Sequence, residues 1–210
     1  SNDEISIIKN KSILIGQFDP LSNKETINKL IKKEVKIFSL NLLPRITRAQ
    51  SMDVLSSQAN LAGYRAVIES VEEFGKAVPM MMTAAGTITP AKVLVIGAGV
   101  AGLQAIATAK RLGAVVSATD VRAIAKEQVE SLGGKFLTVE GTENLETSEG
   151  YAKEAGEDFK KKQAELLKNS IIKNDIVICT ALIPGQKAPR IISEDMVKSM
   201  KPGSIIYDLA

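Results

Sequence analysis

Apolar and polar positions along the chain change period several times, and each change marks an element. Ser12-Ile-Leu-Ile-Gly16 is a short apolar run and Val35-Lys-Ile-Phe-Ser-Leu40 alternates, so both predict strands. Between them, Ser22-Asn-Lys-Glu25 has the spacing of a capping box and predicts a helix reaching about Lys33. Strand, helix and strand at this spacing form a parallel unit. One such unit is too little for a domain, so its neighbouring strands are expected upstream of Ser1.

Pro44 interrupts this pattern, and a long helix is expected from about Thr47 to Phe74, stopped by Gly75. Met52, Leu55, Ala59, Ala62 and Ala66 recur at steps of three and four and give it one apolar stripe. Residues 76–91, with two prolines and Met80-Met-Met82, read as a loop, the methionines as core or interdomain packing. From Ala91 onward strands and helices alternate. Strands are expected at 93–96, 114–119, 136–139, 176–180 and 204–209, and helices from the first of these strands to 112, near 124–132, after the 140–158 stretch with Glu157–Lys161 and Asp158–Lys162 at i, i+4, and near 194–200. That alternation predicts an α/β fold with a doubly wound parallel sheet. The acidic stretch 140–158 reads as a long solvated loop. The expected organisation is a remnant of a first α/β domain over 1–43, a polar loop and interdomain helix over 44–75, and a Rossmann-like domain over 76–210.

Composition narrows the chemistry. The 210 residues are 45% hydrophobic and 24% charged, an ordinary globular balance. A net charge of +3, with no basic block interleaved with aromatics, gives no support to nucleic acid as a partner. The chain has no histidine, which removes His-based triads, metal sites and acid–base schemes. Its one cysteine, Cys179, sits inside an apolar run and reads as a small buried hydrophobe.

The chemistry-bearing motif is Gly97-Ala-Gly-Val-Ala-Gly102, a G-x-G-x-x-G run between a predicted strand and a predicted helix. Gly97 permits a tight turn, Gly99 lets a pyrophosphate approach the backbone, and Gly102 lets helix and strand pack closely. The N–H groups at the helix start then face an anion. Asp120 follows Gly102 by eighteen residues at the end of the next strand. A carboxylate there accepts both hydroxyls of an adenosine ribose and repels a 2′-phosphate, which predicts NAD(H) over NADP(H). Arg122 has two readings: a cation for a 2′-phosphate, or a salt-bridge and pyrophosphate contact beside an NAD.

A second polar cluster precedes the long helix. In Pro44-Arg-Ile-Thr-Arg-Ala-Gln-Ser-Met-Asp53, the residues Gln50, Asp53 and, further on, Ser56 fall three apart on one helical face. Helix capping explains some of this, since Thr47-x-x-Gln50 fits a capping box and Asp53 suits an early turn. The functional alternative is a donor and acceptor array facing a cleft, with Arg45 as a fixed cation and Gln50 able to donate and accept. Such an array suits a nicotinamide carboxamide and its ribose.

The run from Pro44 to Ser57, Ala59-Asn-Leu-Ala-Gly-Tyr-Arg-Ala-Val67, Thr83-Ala-Ala-Gly86, the glycine turn, Gly150-Tyr-Ala-Lys153, Ala181-Leu-Ile-Pro-Gly185 and Met200-Lys-Pro-Gly-Ser204 occur in this order. Together they resemble the alanine dehydrogenase/transhydrogenase family, and within it the NAD(H)-binding component of proton-translocating NAD(P) transhydrogenase. The resemblance implies two Rossmann-like domains linked by a long helix, both truncated in this chain. It implies direct hydride transfer between NAD(H) here and NADP(H) on a partner domain, coupled by a membrane domain to proton movement. Implied partners are those two domains and a second copy in a homodimer. The implied location is peripheral to the inner membrane, on the cytoplasmic side in a bacterium or the matrix side in a mitochondrion. By the resemblance, Arg45, Gln50, Asp53 and Ser56 serve the nicotinamide end, with Gln50 aligning the two rings. Gly97, Ala98, Gly99, Val100 and Gly102 hold the pyrophosphate, and Asp120, Val121 and Arg122 the adenosine ribose side. Gly150 and Tyr151 lie on a mobile loop that closes over the nucleotide, and Leu182 adds a further contact. An alanine dehydrogenase-like oxidoreductase and a non-catalytic NAD-binding module are the alternatives. Neither the Arg-Ile-Thr-Arg-Ala-Gln-Ser-Met-Asp run nor the Gly-Tyr-Ala-Lys loop belongs to alanine dehydrogenase.

Overall fold

The computed structural model describes residues 2–44, 46–139, 156–182 and 187–210. The chain divides into two compact units, Ser1–Gln58 and Ala59–Ala210. In the first unit a short helix α1 (Asn2–Ile7) precedes strand β1 (Ile13–Gly16), helix α2 (Lys24–Lys32) and strand β2 (Lys36–Ser39). The two strands pair in parallel, with Ile13 opposite Lys36 and Gly16 opposite Ser39, as the strand–helix–strand pattern predicts. Helix α1 was not legible in the pattern. The α2 cap also differs from expectation: Asn23 is the N-cap and makes no side-chain cap bond, so Ser22 does not close a capping box. Among its described residues, Leu30, Val35 and Ala49 are the buried apolar ones.

The expected continuous helix from Thr47 is two pieces. Thr47–Met52 is a 3₁₀ helix, and helix α3 proper is Val54–Phe74. The break falls at Asp53, because its side chain takes over the cap. Asp53 Oδ1 accepts the Ser56 N–H at 2.9 Å, and the Ser56 hydroxyl donates to Asp53 Oδ2 at 2.6 Å. The expected Thr47 box is therefore replaced by a cap at Asp53, since the 3₁₀ segment has no side-chain cap. The apolar stripe also shifts. Met52 and Leu55 are exposed, whereas Gly63, Ala66, Val67, Ser70 and Phe74 form the buried face.

The second unit is built on a five-stranded sheet. Its strands are β5 (Lys92–Ile96), β6 (Val115–Thr119), β7 (Lys135–Phe136), β8 (Ile176–Cys179) and β9 (Ile205–Asp208), ordered β7-β6-β5-β8-β9, and every pairing is parallel. Helices α4 (Val100–Arg111), α5 (Ile124–Ser131), α6 (Glu157–Ile171) and α7 (Glu194–Lys198) fill the connections. One face of the sheet packs Val93, Val95, Val116, Ala118, Ile176 and Ile178 against α3, α4 and α5. The other packs Leu94, Ile96 and Val177 against Leu167 and Ile171 of α6 and Met196 of α7. Burial on both faces is why β5 and β8 read as unbroken apolar runs.

Residues 76–91 are more ordered than a loop. Strands β3 (Met81–Thr83) and β4 (Gly86–Ile88) form an antiparallel hairpin, closed by Thr83 donating to the Gly86 carbonyl at 2.9 Å. All six strand residues are exposed, so no alternation betrays them. Met80, Met81 and Met82 are exposed as well, which removes them from the core of this unit.

Candidate functional site

In the order β7-β6-β5-β8-β9 the chain leaves β5 toward β6 on one side and returns to β8 on the other. Ligands of such sheets bind beyond the carboxyl ends of the strands at this reversal. Gly97 follows β5 there with φ +95°, a conformation that favours glycine. The three motif glycines serve different ends. A Cβ on Gly97 would lie 2.8 Å from Thr180 Oγ1 and 2.9 Å from the Ala181 nitrogen. One on Gly102 would lie 1.9 Å from the Gly97 carbonyl oxygen. One on Gly99 would meet nothing within 4 Å, and Gly99 has an ordinary extended backbone at φ −76°, ψ −165°. Among the described residues, packing thus dictates Gly97 and Gly102 but not Gly99.

Helix α4 begins at Val100, and the first N–H groups of a helix have no intrahelical acceptor. Among the described residues the N–H groups of Gly99 and Val100 meet no partner, whereas the Ala98 N–H donates to Asp120 Oδ2 at 2.7 Å. The arrangement presents two donors, the positive end of a helix and open space, which are the features a phosphate requires.

Asp120 lies where the spacing puts it, at the end of β6, with its side chain 7% exposed. Besides Ala98, it accepts the Arg122 N–H at 2.9 Å, Arg122 Nε at 2.9 Å and Arg122 Nη2 at 3.0 Å. Of the two readings of Arg122, the structure shows the salt bridge. Burial pushes the Asp120 carboxyl up, but the Arg122 guanidinium and the two backbone N–H groups outweigh it and hold it below its ordinary value. Val121, between them, is half-buried.

The polar cluster before α3 is described within the first unit. Gln50 is exposed on the 3₁₀ segment, and its carbonyl accepts the Asp53 N–H at 3.2 Å. Asp53 and Ser56 are engaged with each other in the cap. Leu182 is 57% exposed just beyond β8. Arg45, Gly150 and Tyr151 lie outside the described residues. Cys179 is partly buried, and burial together with the Asp208 charge pushes its thiol up to about 12, as expected of an inert packing residue.

Two positions escaped the sequence reading. Thr180 donates its hydroxyl to the Gly97 carbonyl at 2.8 Å. Its one sequence signal is its place directly after the apolar run of β8. Gly63 lies in mid-helix, where glycine is unfavourable. A Cβ there would sit 2.1 Å from the Ala101 carbonyl oxygen, so its absence lets α3 touch the first turn of α4.

Comparison with known proteins matches a family model described as "Alanine dehydrogenase/PNT, C-terminal domain" over residues 66–210, and its N-terminal domain counterpart over residues 1–62. An NAD(P) transhydrogenase subunit alpha protein of Rhodospirillum rubrum is 61% identical over 210 residues, covering 99% of this chain and 55% of that protein. The crystal structure of transhydrogenase from Sinorhizobium meliloti superposes with a TM-score of 0.85 at 55% identity, covering 98% of this chain and 55% of that one. An L-alanine dehydrogenase structure matches with a TM-score of 0.74 at 20% identity, covering 100% and 53%, a likeness of fold alone. The chain therefore spans about half the length of the relatives it matches.

Proposed function

This chain belongs to the alanine dehydrogenase/PNT family, and from that premise we propose that it is the NAD(H)-binding component of a proton-translocating NAD(P) transhydrogenase. In this reading it passes hydride directly between NAD(H) held here and NADP(H) held on a partner domain. A membrane domain of the same enzyme couples that transfer to proton movement. No helix among the described residues is long and apolar enough to cross a membrane. The proposal gives the membrane domain to a partner and places this chain at the membrane periphery. The single observation that carries nucleotide binding is the open space at Gly99 beside two unpartnered N–H groups, because nothing among the described residues requires glycine there.

When bound, the nicotinamide supplies the hydride, and the transfer needs no protein acid or base. A chain without histidine suits that chemistry. What remains for the protein is positioning. The turn from Gly97 to Gly102 holds the pyrophosphate through the N–H groups of Gly99 and Val100, while the N–H groups of Gly97 and Ala98 are engaged by the Thr119 carbonyl and Asp120. Asp120 accepts the adenosine ribose hydroxyls, with Val121 alongside. Its acceptor positions are filled by Ala98 and Arg122, so the ribose hydroxyls would take the place of guanidinium donors there. Arg45, Gln50, Asp53 and Ser56 serve the nicotinamide end, where Gln50 aligns the ring with its partner and the Asp53–Ser56 pair keeps the segment in register. Gly150 and Tyr151 close over the nucleotide, and Leu182 borders it.

We also propose a homodimer. The exposed hairpin β3–β4, with Met81, Met82 and Ile88 uncovered, supports it, since an isolated two-stranded hairpin is marginal in water. The decisive test of the function is a pair of measurements. NADH binds at least tenfold more tightly than NADPH; the reverse order would end the assignment. With the partner domain present, Gln50→Asn keeps NADH affinity within a few-fold and slows hydride transfer strongly. Equal losses of both would reduce Gln50 to a binding residue.

A further inference from the structure

The peptide plane joining Gly97 to Ala98 is held at both ends by different strands. Its carbonyl accepts the Thr180 hydroxyl at 2.8 Å, from the end of β8. Its N–H donates to Asp120 Oδ2 at 2.7 Å, at the end of β6. These strands flank β5 on its two sides, so the clamp spans the point where the sheet reverses. Thr180 is itself anchored, because its backbone N–H donates to the Ile96 carbonyl at 2.8 Å. The fit is tight around the same carbonyl. A Cβ at Gly102 would lie 1.9 Å from the Gly97 oxygen and 3.0 Å from Thr180 Oγ1, so glycine at 102 leaves the room in which this bond forms.

A peptide plane fixed at carbonyl and amide cannot rotate, and its orientation sets the direction of the next two N–H groups, those of Gly99 and Val100. Both are among the first-turn donors that meet no partner among the described residues. Asp120 is accounted for by the ribose. The Thr180 hydroxyl is spent on the turn and has no such second duty.

We propose that Thr180 is a positioning residue for the pyrophosphate: its hydroxyl sets the Gly97–Ala98 peptide so that the Gly99 and Val100 N–H groups converge on the anion. The inference rests on the nucleotide-binding reading above, and the test separates the two. The probes are ADP-ribose, which carries the pyrophosphate, and adenosine, which lacks it, with affinities measured for the wild-type protein, Thr180→Val and Thr180→Ser.

Loss of one net hydrogen bond corresponds to roughly a fivefold effect or more. Thr180→Val is expected to weaken ADP-ribose by at least that factor, leave adenosine within twofold, and recover in Thr180→Ser, which restores the hydroxyl. Should Thr180→Val fail to fold, Thr180→Ala takes its place in the same comparison. An ADP-ribose to adenosine affinity ratio unchanged in the variant, or no recovery in Thr180→Ser, overturns the role of Thr180 while leaving nucleotide binding intact. Wild-type protein that binds neither NADH nor ADP-ribose overturns the nucleotide reading and this inference together.

Discussion

Gly99 and Gly102 are the same residue three positions apart, yet they answer to different demands. At Gly102 a methyl group would strike the Gly97 carbonyl, and at Gly99 it would enter open space. Gly102→Ala is therefore expected to cost about 1–3 kcal/mol of stability, as overpacking does. Gly99→Ala should leave stability within about 0.5 kcal/mol and weaken NADH at least tenfold. Chemical denaturation and a fluorescence titration of each variant check this, and a destabilised Gly99→Ala with intact binding would contradict it. Asp120 makes a second test. A carboxyl held below its ordinary value stabilises the fold above its unfolded pKa and loses that contribution as pH falls through the lower folded value. Wild-type stability should thus decline as pH falls below about 4, and Asp120→Asn should be less stable at neutral pH with a flatter acid limb. Parallel acid limbs in urea titrations from pH 2 to 7 would exclude the pair as a contributor.

At the scale of elements, α3 shows how local chemistry overrides periodicity. The apolar spacing from Met52 onward favours a single helix beginning at Thr47. Asp53 ends that option, because its carboxylate satisfies the Ser56 amide and hydroxyl only from a non-helical backbone, here φ −77°, ψ 84°. Asp53→Ala is expected to cost about 1 kcal/mol, a fall in melting temperature of roughly 2–4 °C. A melting curve unchanged by the substitution would remove the cap from the account. The hairpin β3–β4 was invisible for another reason. A strand is read from alternation between core and solvent, and with all six residues exposed there is no alternation to read. Gly63 is the converse case: in sequence it is a flaw in a helix, and in the fold it is the place where α3 meets the backbone of α4.

Across the whole molecule the two units differ in how much they bury. Strand β5 has four consecutive buried residues, Val93–Ile96, while β1 and β2 bury none fully. Backbone hydrogen bonds open in proportion to how little covers them. Amides of β5 and β8 should accordingly exchange with deuterium at least a hundredfold more slowly than those of β1 and β2, and uniform protection across both units would refute the difference. The parallel five-stranded sheet was legible because each of its central strands is covered on both faces and flanked by helices of amphipathic period. Likewise Gly97–Gly102 and Asp120 could be picked out by spacing, since one helix and one strand separate them along the chain. Those features are local, and the order of residues suffices to specify them. Thr180 and its clamp on the Gly97–Ala98 peptide belong to tertiary structure alone. They depend on β8 returning to lie beside β5 some eighty residues later, and proximity made by a crossover leaves no periodic trace in the chain.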